Sequence, residues 1–108
     1  MKTTQLTKGQ NKRVMYIENK DGLIDSASAK IGWVSFSQTG NTVYYQDKTL
    51  RKIKGGGIRG NFRDIETEEE YWISGIKKTG SNAHWAEPVN IVVDEDAIVE
   101  YNKIKNGT

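Results

Sequence analysis

Hydrophobic and polar residues alternate over short stretches along most of the chain, and this pattern predicts a series of short β-strands. The segment 30–37 is the clearest example, because Ile31 and Trp33 would lie on one face of a sheet and Val34 and Phe36 on the other. The same pattern predicts strands at 13–18, 42–46, 50–54, 62–66, 71–76 and 88–93, with a short one at 84–85.

Two pairs of these strands are joined by residues that favour tight turns, which predicts two β-hairpins. The segment 38–41, Gln-Thr-Gly-Asn, leads from the strand at 30–37 into the next strand. The acidic segment 67–69 leads in the same way from the strand at 62–66 into the strand at 71–76. An Asp-Gly pair at 21–22 ends the first strand of the chain.

The period of the pattern changes near the end of the chain, where Ala97, Tyr101 and Ile104 recur at helical spacing. Asp94 stands where a helix N-cap is expected, and two acidic residues follow it in the first turn, where the helix dipole favours negative charge. The sequence therefore predicts a short amphipathic helix over residues 95–105.

Many short strands followed by one helix predict a mainly β fold, a small antiparallel barrel or curled sheet with a short C-terminal helix. Residues 1–12 are expected to form a flexible N-terminal arm, and residues 13–108 a single β-rich domain. In the strand 71–76, Tyr71 and Ile73 share one face and Trp72 the other, so we expect that strand to be central and Trp72 to be buried.

The composition excludes several classes of protein but does not indicate a function. The 108 residues suffice for one modest hydrophobic core, and only 35% of them are hydrophobic. There is no cysteine, which excludes disulfides, thiolate metal sites and a cysteine nucleophile. No apolar stretch has membrane-spanning length, and the N-terminus lacks the apolar segment of a signal peptide, so a cytoplasmic location and no membrane association are expected.

The segment Gly55–Gly60 matches the glycine pattern of dinucleotide-binding folds. In those folds the glycines open a helix, whereas here a predicted strand follows them. Residues 57–60 also match the shorter glycine pattern of KH domains, but the flanking helices of that domain are missing. The segment is therefore interpreted as a connection between strands that needs positive φ or close backbone approach.

A basic stretch extends from residue 48 to residue 63, with six lysines or arginines and no acidic residue. Phe62 lies within it and two tyrosines precede it. Cations beside exposed aromatic rings on a small barrel are typical of proteins that bind single-stranded nucleic acid. An ordinary solvated strand face is the other interpretation. The candidate binding residues are Lys48, Arg51, Lys52, Lys54, Arg59, Arg63, Tyr44 and Tyr45.

Acidic residues cluster in two other places, 64–70 and 94–100, which together hold nine of the fourteen acids. This separation of charge disfavours a uniform nucleic-acid-binding face. It suits a protein partner, because a charge-polarised surface steers encounter and sets register.

No combination of residues has the pattern of a catalytic site. His84 is the only histidine, and although Ser74 could accompany it, no nucleophile elbow surrounds that serine. The carboxylates of 68–70 are clustered in one turn, which does not suit an opposed acid and base. We therefore expect no enzymatic activity, no cofactor and no metal site.

Several motifs resemble a family of small bacterial proteins that have no established activity. The resemblance spans about Val14 to Tyr101 and is carried by segments 30–37, 43–45 and 71–75, with Lys77, Lys78 and Gly80. Some similar sequences are labelled 1-deoxy-D-xylulose-5-phosphate synthase. A thiamine-diphosphate enzyme needs a Gly-Asp-Gly cofactor motif and several hundred residues, and this chain has neither, so the resemblance implies no functional residues.

These observations predict a non-catalytic binding module, a protein-interaction domain with a protein partner. Single-stranded nucleic-acid binding through the basic stretch 48–63 is the alternative.

Overall fold

The computed structural model describes residues 11–77 and 90–106. This part of the chain contains seven strands, a turn of 3-10 helix and one α-helix. The strands are β1 (Asn11–Asn19), β2 (Ala29–Phe36), β3 (Thr42–Tyr45), β4 (Lys48–Lys52), β5 (Phe62–Asp64), β6 (Glu70–Gly75) and β7 (Ile91–Val93), followed by the 3-10 turn (Glu95–Ala97) and α1 (Ile98–Asn106).

The first six strands form a closed antiparallel barrel. Each strand from β2 to β5 pairs with the next, and β1 pairs with both β2 and β6, which closes the barrel. The seventh strand is the exception, because β7 lies parallel to β2, with Ala29 opposite Ile91. The predicted small antiparallel barrel with a short C-terminal helix is thus confirmed, and so are the two predicted hairpins, β2–β3 and β5–β6.

The barrel interior is filled by one face of every strand from β1 to β6, as the two-residue period of a strand requires. Aliphatic and aromatic side chains form this interior, and most of them are almost completely buried. Its members are Met15, Ile17, Ile24, Val34, Val43, Tyr45, Leu50, Phe62, Tyr71 and Ile73.

A second hydrophobic cluster lies outside the barrel, where the 3-10 turn and α1 cover strands β1, β2 and β6. Tyr16, Ile31 and Ala97 are its buried centre, and Trp33 and Trp72 pack around them. The indole of Trp33 donates a hydrogen bond of 2.9 Å to the backbone oxygen of Asp96, which fixes the start of the helical segment to the barrel. Trp72 is only partly buried and lies in the outer cluster, so the expectation of a buried Trp72 at the centre of the fold is met only in part.

One strand boundary and one capping interaction differ from the prediction. Strand β1 begins at Asn11, so residues 11 and 12 belong to the barrel and not to the predicted arm 1–12. Asp94 holds the N-cap position, but its side chain makes no capping hydrogen bond, because it bonds to other residues. The predicted strand at 84–85, with His84, lies outside the described residues, as do residues 1–10.

Within 11–77 and 90–106, no helix has the length and apolar character needed to cross a lipid bilayer.

Candidate functional site

Two arginines of the basic stretch lie directly opposite each other on neighbouring strands. Arg51 of β4 is paired with Arg63 of β5 in the antiparallel register. Because Leu50 and Phe62 fill the interior, the residues that follow them point to the outer face, and both arginines are exposed there. We refer to Arg51 and Arg63 as the arginine pair.

A groove of about 950 Å³ lies over the arginine pair on the outer face of β4 and β5. The segment 52–55 forms one side of it, and the turn that follows β5 forms the other. We call this feature the basic groove; it is lined by Asn41, Arg51, Lys52, Ile53, Lys54, Gly55, Arg63, Asp64, Ile65 and Glu68. Its volume is in the range of pockets that bind small ligands or peptide side chains.

The cations of the basic groove are weakly neutralised by the protein itself. Within the described residues, Arg51, Lys52 and Lys54 have no ion-pair partner. Arg63 has one, the carboxylate of Glu70, at 4.0 Å. Asp64 lines the groove but is buried, and its Oδ1 accepts the backbone N–H of Glu66 at 2.8 Å. The groove therefore carries a local excess of positive charge.

Two of the predicted cationic residues lie outside the groove. The guanidinium of Arg59 forms an ion pair with Asp21 and donates a hydrogen bond of 2.8 Å to the backbone oxygen of Lys20. Arg59 thus holds its own loop against the end of β1. Lys48 lies 3.6 Å from the exposed carboxylate of Asp47.

The aromatic residues near the basic stretch occupy different faces of the barrel. Tyr45 is 1% exposed and Phe62 is 7% exposed, both within the interior cluster. A ring inside the barrel is not placed to stack on a base, and the role of Tyr45 in binding stays a prediction. Tyr44 alternates with Tyr45 and lies on the outer face, partly buried, opposite Thr49.

The glycine-rich segment is a loop that wraps around an internal carboxylate. Glu70 Oε1 accepts the backbone N–H groups of Arg59 and Gly60, each at 2.8 Å, and Oε2 accepts that of Ile58 at 3.4 Å. Such a nest of N–H groups binds phosphate in nucleotide-binding proteins. Here the bound anion is a side chain of the same protein.

Close packing requires glycine at two positions of this loop. A Cβ atom at Gly60 would lie 2.4 Å from the backbone oxygen of Tyr71, and one at Gly57 would lie 2.5 Å from Glu70 Oε1. The predicted connection with close backbone approach is therefore confirmed. The loop is also the structure that positions Glu70 next to Arg63.

The hydrogen bonds from the loop make Glu70 a source of acid sensitivity. The backbone N–H groups of Arg59 and Gly60 lower the pKa of Glu70 from its ordinary value of 4.5. A lowered pKa in the folded state adds stability above pH 4.5 that is lost as the pH falls through the lowered value. We expect Glu70→Gln to flatten the decline of unfolding free energy below pH 4.5, measured by urea titration at several pH values.

The control for this measurement is Glu66→Gln, because Glu66 is an exposed acid in the turn that precedes β6. This variant should retain the acid sensitivity of the parent protein. If the pH profile of Glu70→Gln also matches that of the parent, the loop does not stabilise the charged form of Glu70.

A second polar cluster lies at the start of the helical segment and was not predicted. Asp94 accepts a hydrogen bond of 2.6 Å from the hydroxyl of Tyr45, and its other oxygen lies 2.9 Å from Lys30 Nζ. Lys30 is 9% exposed, so this ion pair is largely buried. An open cavity of about 420 Å³ next to Asp94 is lined by Trp33, Tyr45, Gln46, Asp94, Glu95 and Asp96. The cluster connects β2, β3 and the segment after β7.

In the part of the chain that the structure describes, no group of three histidine or acidic side chains is arranged to hold a metal ion. His84 lies outside that part of the chain.

Comparisons of this chain with protein-family models, with curated proteins and with solved structures find no match. The resemblance to a family of small bacterial proteins therefore stays a prediction. Of the predicted binding residues, the structure brings four together in the basic groove: Arg51, Lys52, Lys54 and Arg63.

Proposed function

We propose that this protein is a non-catalytic binding module whose basic groove binds an acidic segment of a partner protein. The observation that carries the proposal is the register of β4 and β5, which sets Arg51 directly opposite Arg63. Like charges at directly opposed positions of two strands repel each other and destabilise the pair. An anion bound between the two guanidinium groups relieves that repulsion.

Hydrophobic residues beside the cations suit a peptide better than a simple ion. Ile65, at one side of the basic groove, is 52% exposed, and Ile53 lies on the other side. Together with the cations, they favour a segment that contains carboxylates and at least one apolar side chain. Interfaces commonly combine such apolar contacts with charged groups that set orientation.

The proposal is tested with a short fluorescein-labelled peptide in which glutamates flank a single leucine, titrated with the full chain and followed by fluorescence anisotropy. We expect Arg51→Ala and Arg63→Ala each to weaken binding by about tenfold or more, because a hydrogen bond to a charged group contributes about 1.5–3 kcal/mol. Lys103→Ala is the control, since Lys103 is an exposed cation on α1.

Two results would contradict the proposal. One is the absence of any binding of the acidic peptide at low ionic strength. The other is an equal loss of affinity in Lys103→Ala and in the arginine variants, which would mean that the peptide responds to overall charge and not to the groove.

Single-stranded nucleic-acid binding is the second candidate function, and one observation favours it. Tyr44 lies on the outer face of the barrel, next to the strand that carries Arg51. Against this, Tyr45 and Phe62 are inside the barrel, so the row of stacking rings that such proteins use is reduced to one residue. Titration with oligo(dT) at two salt concentrations separates the candidates, because phosphate-backbone binding weakens steeply with salt.

A further inference from the structure

We infer that the arginine pair binds a phosphate monoester, so that the acidic segment recognised by the basic groove is one that carries a phosphorylated side chain. This inference rests on the proposed function and specifies the chemistry of its ligand.

The charge of the arginine pair exceeds what one carboxylate can neutralise. Arg51 and Arg63 are opposed on neighbouring strands and both are exposed, so their guanidinium groups can face the same ligand. A carboxylate has one negative charge and two oxygens, which match one guanidinium in a bidentate pair. A phosphate monoester has a charge of about −2 and three acceptor oxygens, which match two guanidinium groups.

The carboxylate opposite Arg63, that of Glu70, is bound by other groups of the protein. Glu70 of β6 lies directly opposite Arg63 of β5, and without other contacts its carboxylate would neutralise that arginine. Its carboxylate is instead turned to the glycine-rich loop, whose N–H groups lie at 2.8 Å from Oε1, whereas Arg63 Nη2 lies 4.0 Å from Oε2. The loop therefore leaves the donors of Arg63 available to another anion.

The remaining charges of the basic groove determine how the ligand is oriented in it. Lys52 and Lys54 lie on one side of the groove and add positive charge there, while Glu68 lies on the other side. Asp64 is buried and bonded to its own turn, so its carboxylate does not reach across to the arginines as an ion-pair partner. A phosphate is thus favoured on the side of Lys52 and Lys54.

The test compares three labelled peptides that have the same flanking residues as the acidic peptide above. They differ at one position, which is phosphoserine, glutamate or serine. The full chain is titrated into each and anisotropy is recorded. We expect the phosphoserine peptide to bind about tenfold more tightly than the glutamate peptide, because two bidentate arginine pairs replace one.

The matched variants are Arg51→Lys and Arg63→Lys, which keep the charge but lose the planar bidentate geometry. We expect each variant to lose most of the difference in affinity between the phosphoserine and glutamate peptides. The affinity for the glutamate peptide itself should change little. Circular dichroism and urea unfolding of the same samples establish that these exposed substitutions leave the barrel folded. Lys103→Ala again serves as the control, and it should retain the full difference.

The possible failures are distinguishable. Equal affinity for the phosphoserine and glutamate peptides, or an unchanged difference in both lysine variants, overturns this inference and leaves the proposed function standing. Failure of all three peptides, which share the flanking glutamates, to bind at low ionic strength overturns the inference and the proposed function together. An oligo(dT) ligand that binds more tightly than the phosphoserine peptide would also overturn the inference, since it would point to phosphodiesters.

Discussion

Replacing Tyr71 with alanine is expected to lower the free energy of unfolding by about 3–5 kcal/mol, the cost of truncating a buried aromatic side chain. Tyr71 is 1% exposed and lies in the barrel interior, opposite Phe62 in the strand register. A domain of this size has a total stability of about 5–15 kcal/mol, so the variant is expected to be barely folded. Urea unfolding followed by tryptophan fluorescence measures the change.

Trp72→Ala is the informative comparison, because the two residues are neighbours in β6 but lie on opposite faces of the barrel. Trp72 is partly buried against the cluster under α1, so its truncation removes less contact than that of Tyr71. Tyr71→Phe keeps the ring and loses only the hydroxyl, which accepts a hydrogen bond from Asn19 at 3.3 Å. It should cost about 1 kcal/mol. A larger loss in Trp72→Ala than in Tyr71→Ala would show that the outer cluster, and not the barrel interior, dominates stability.

The second large effect is expected at the buried ion pair of Lys30 and Asp94. Asp94→Ala leaves the ammonium group of Lys30 with the carboxylate of Asp25, which is 59% exposed and lies 3.8 Å away. Removing one partner of a buried pair costs about 3–5 kcal/mol, and we expect the lower end of that range because Asp25 remains. The loss is measured by urea unfolding at neutral pH.

A second substitution separates the charge from the loss of contacts. In the background of Asp94→Ala, Lys30→Met removes the buried charge that has lost its main partner, and we expect it to restore part of the stability. If the double variant is no more stable than Asp94→Ala, the uncompensated charge of Lys30 is not the cause. The loss would then come from the hydrogen bond of 2.6 Å between Tyr45 and Asp94.

The strands and hairpins could be predicted because they depend on local features. Alternation over 30–37 and 71–76 fixes which residues share a face, and the turns at 38–41 and 67–69 fix which strands are neighbours. The interior positions of Tyr71 and Ile73 follow from the same period of two. The closure of the barrel is harder to predict from the sequence, because no local pattern indicates that β1 pairs with β6.

The candidate site was predicted only in part, because alternation does not tell which face is inside. Tyr44 and Tyr45 are equivalent in the sequence, yet Tyr45 enters the barrel and Tyr44 does not. The contacts of Glu70 with the glycine-rich loop depend on how that loop folds back, which no residue spacing reveals. Asp94 was predicted as an N-cap from its position, but the burial of Lys30 and Tyr45 next to it draws its carboxylate away from the helix.

The closure of the barrel also affects the chain while it is being synthesised. Strand β1 can pair with β2 early, but its other edge is completed by β6, and the contact between Asn19 and Tyr71 spans 52 residues. Until β6 has emerged from the ribosome, the backbone N–H and C=O groups along that edge of β1 have no strand to pair with. An open edge of this kind can pair with another chain. The order of the strands therefore leaves the nascent chain with an exposed strand edge, and with it a risk of aggregation, until β6 has emerged.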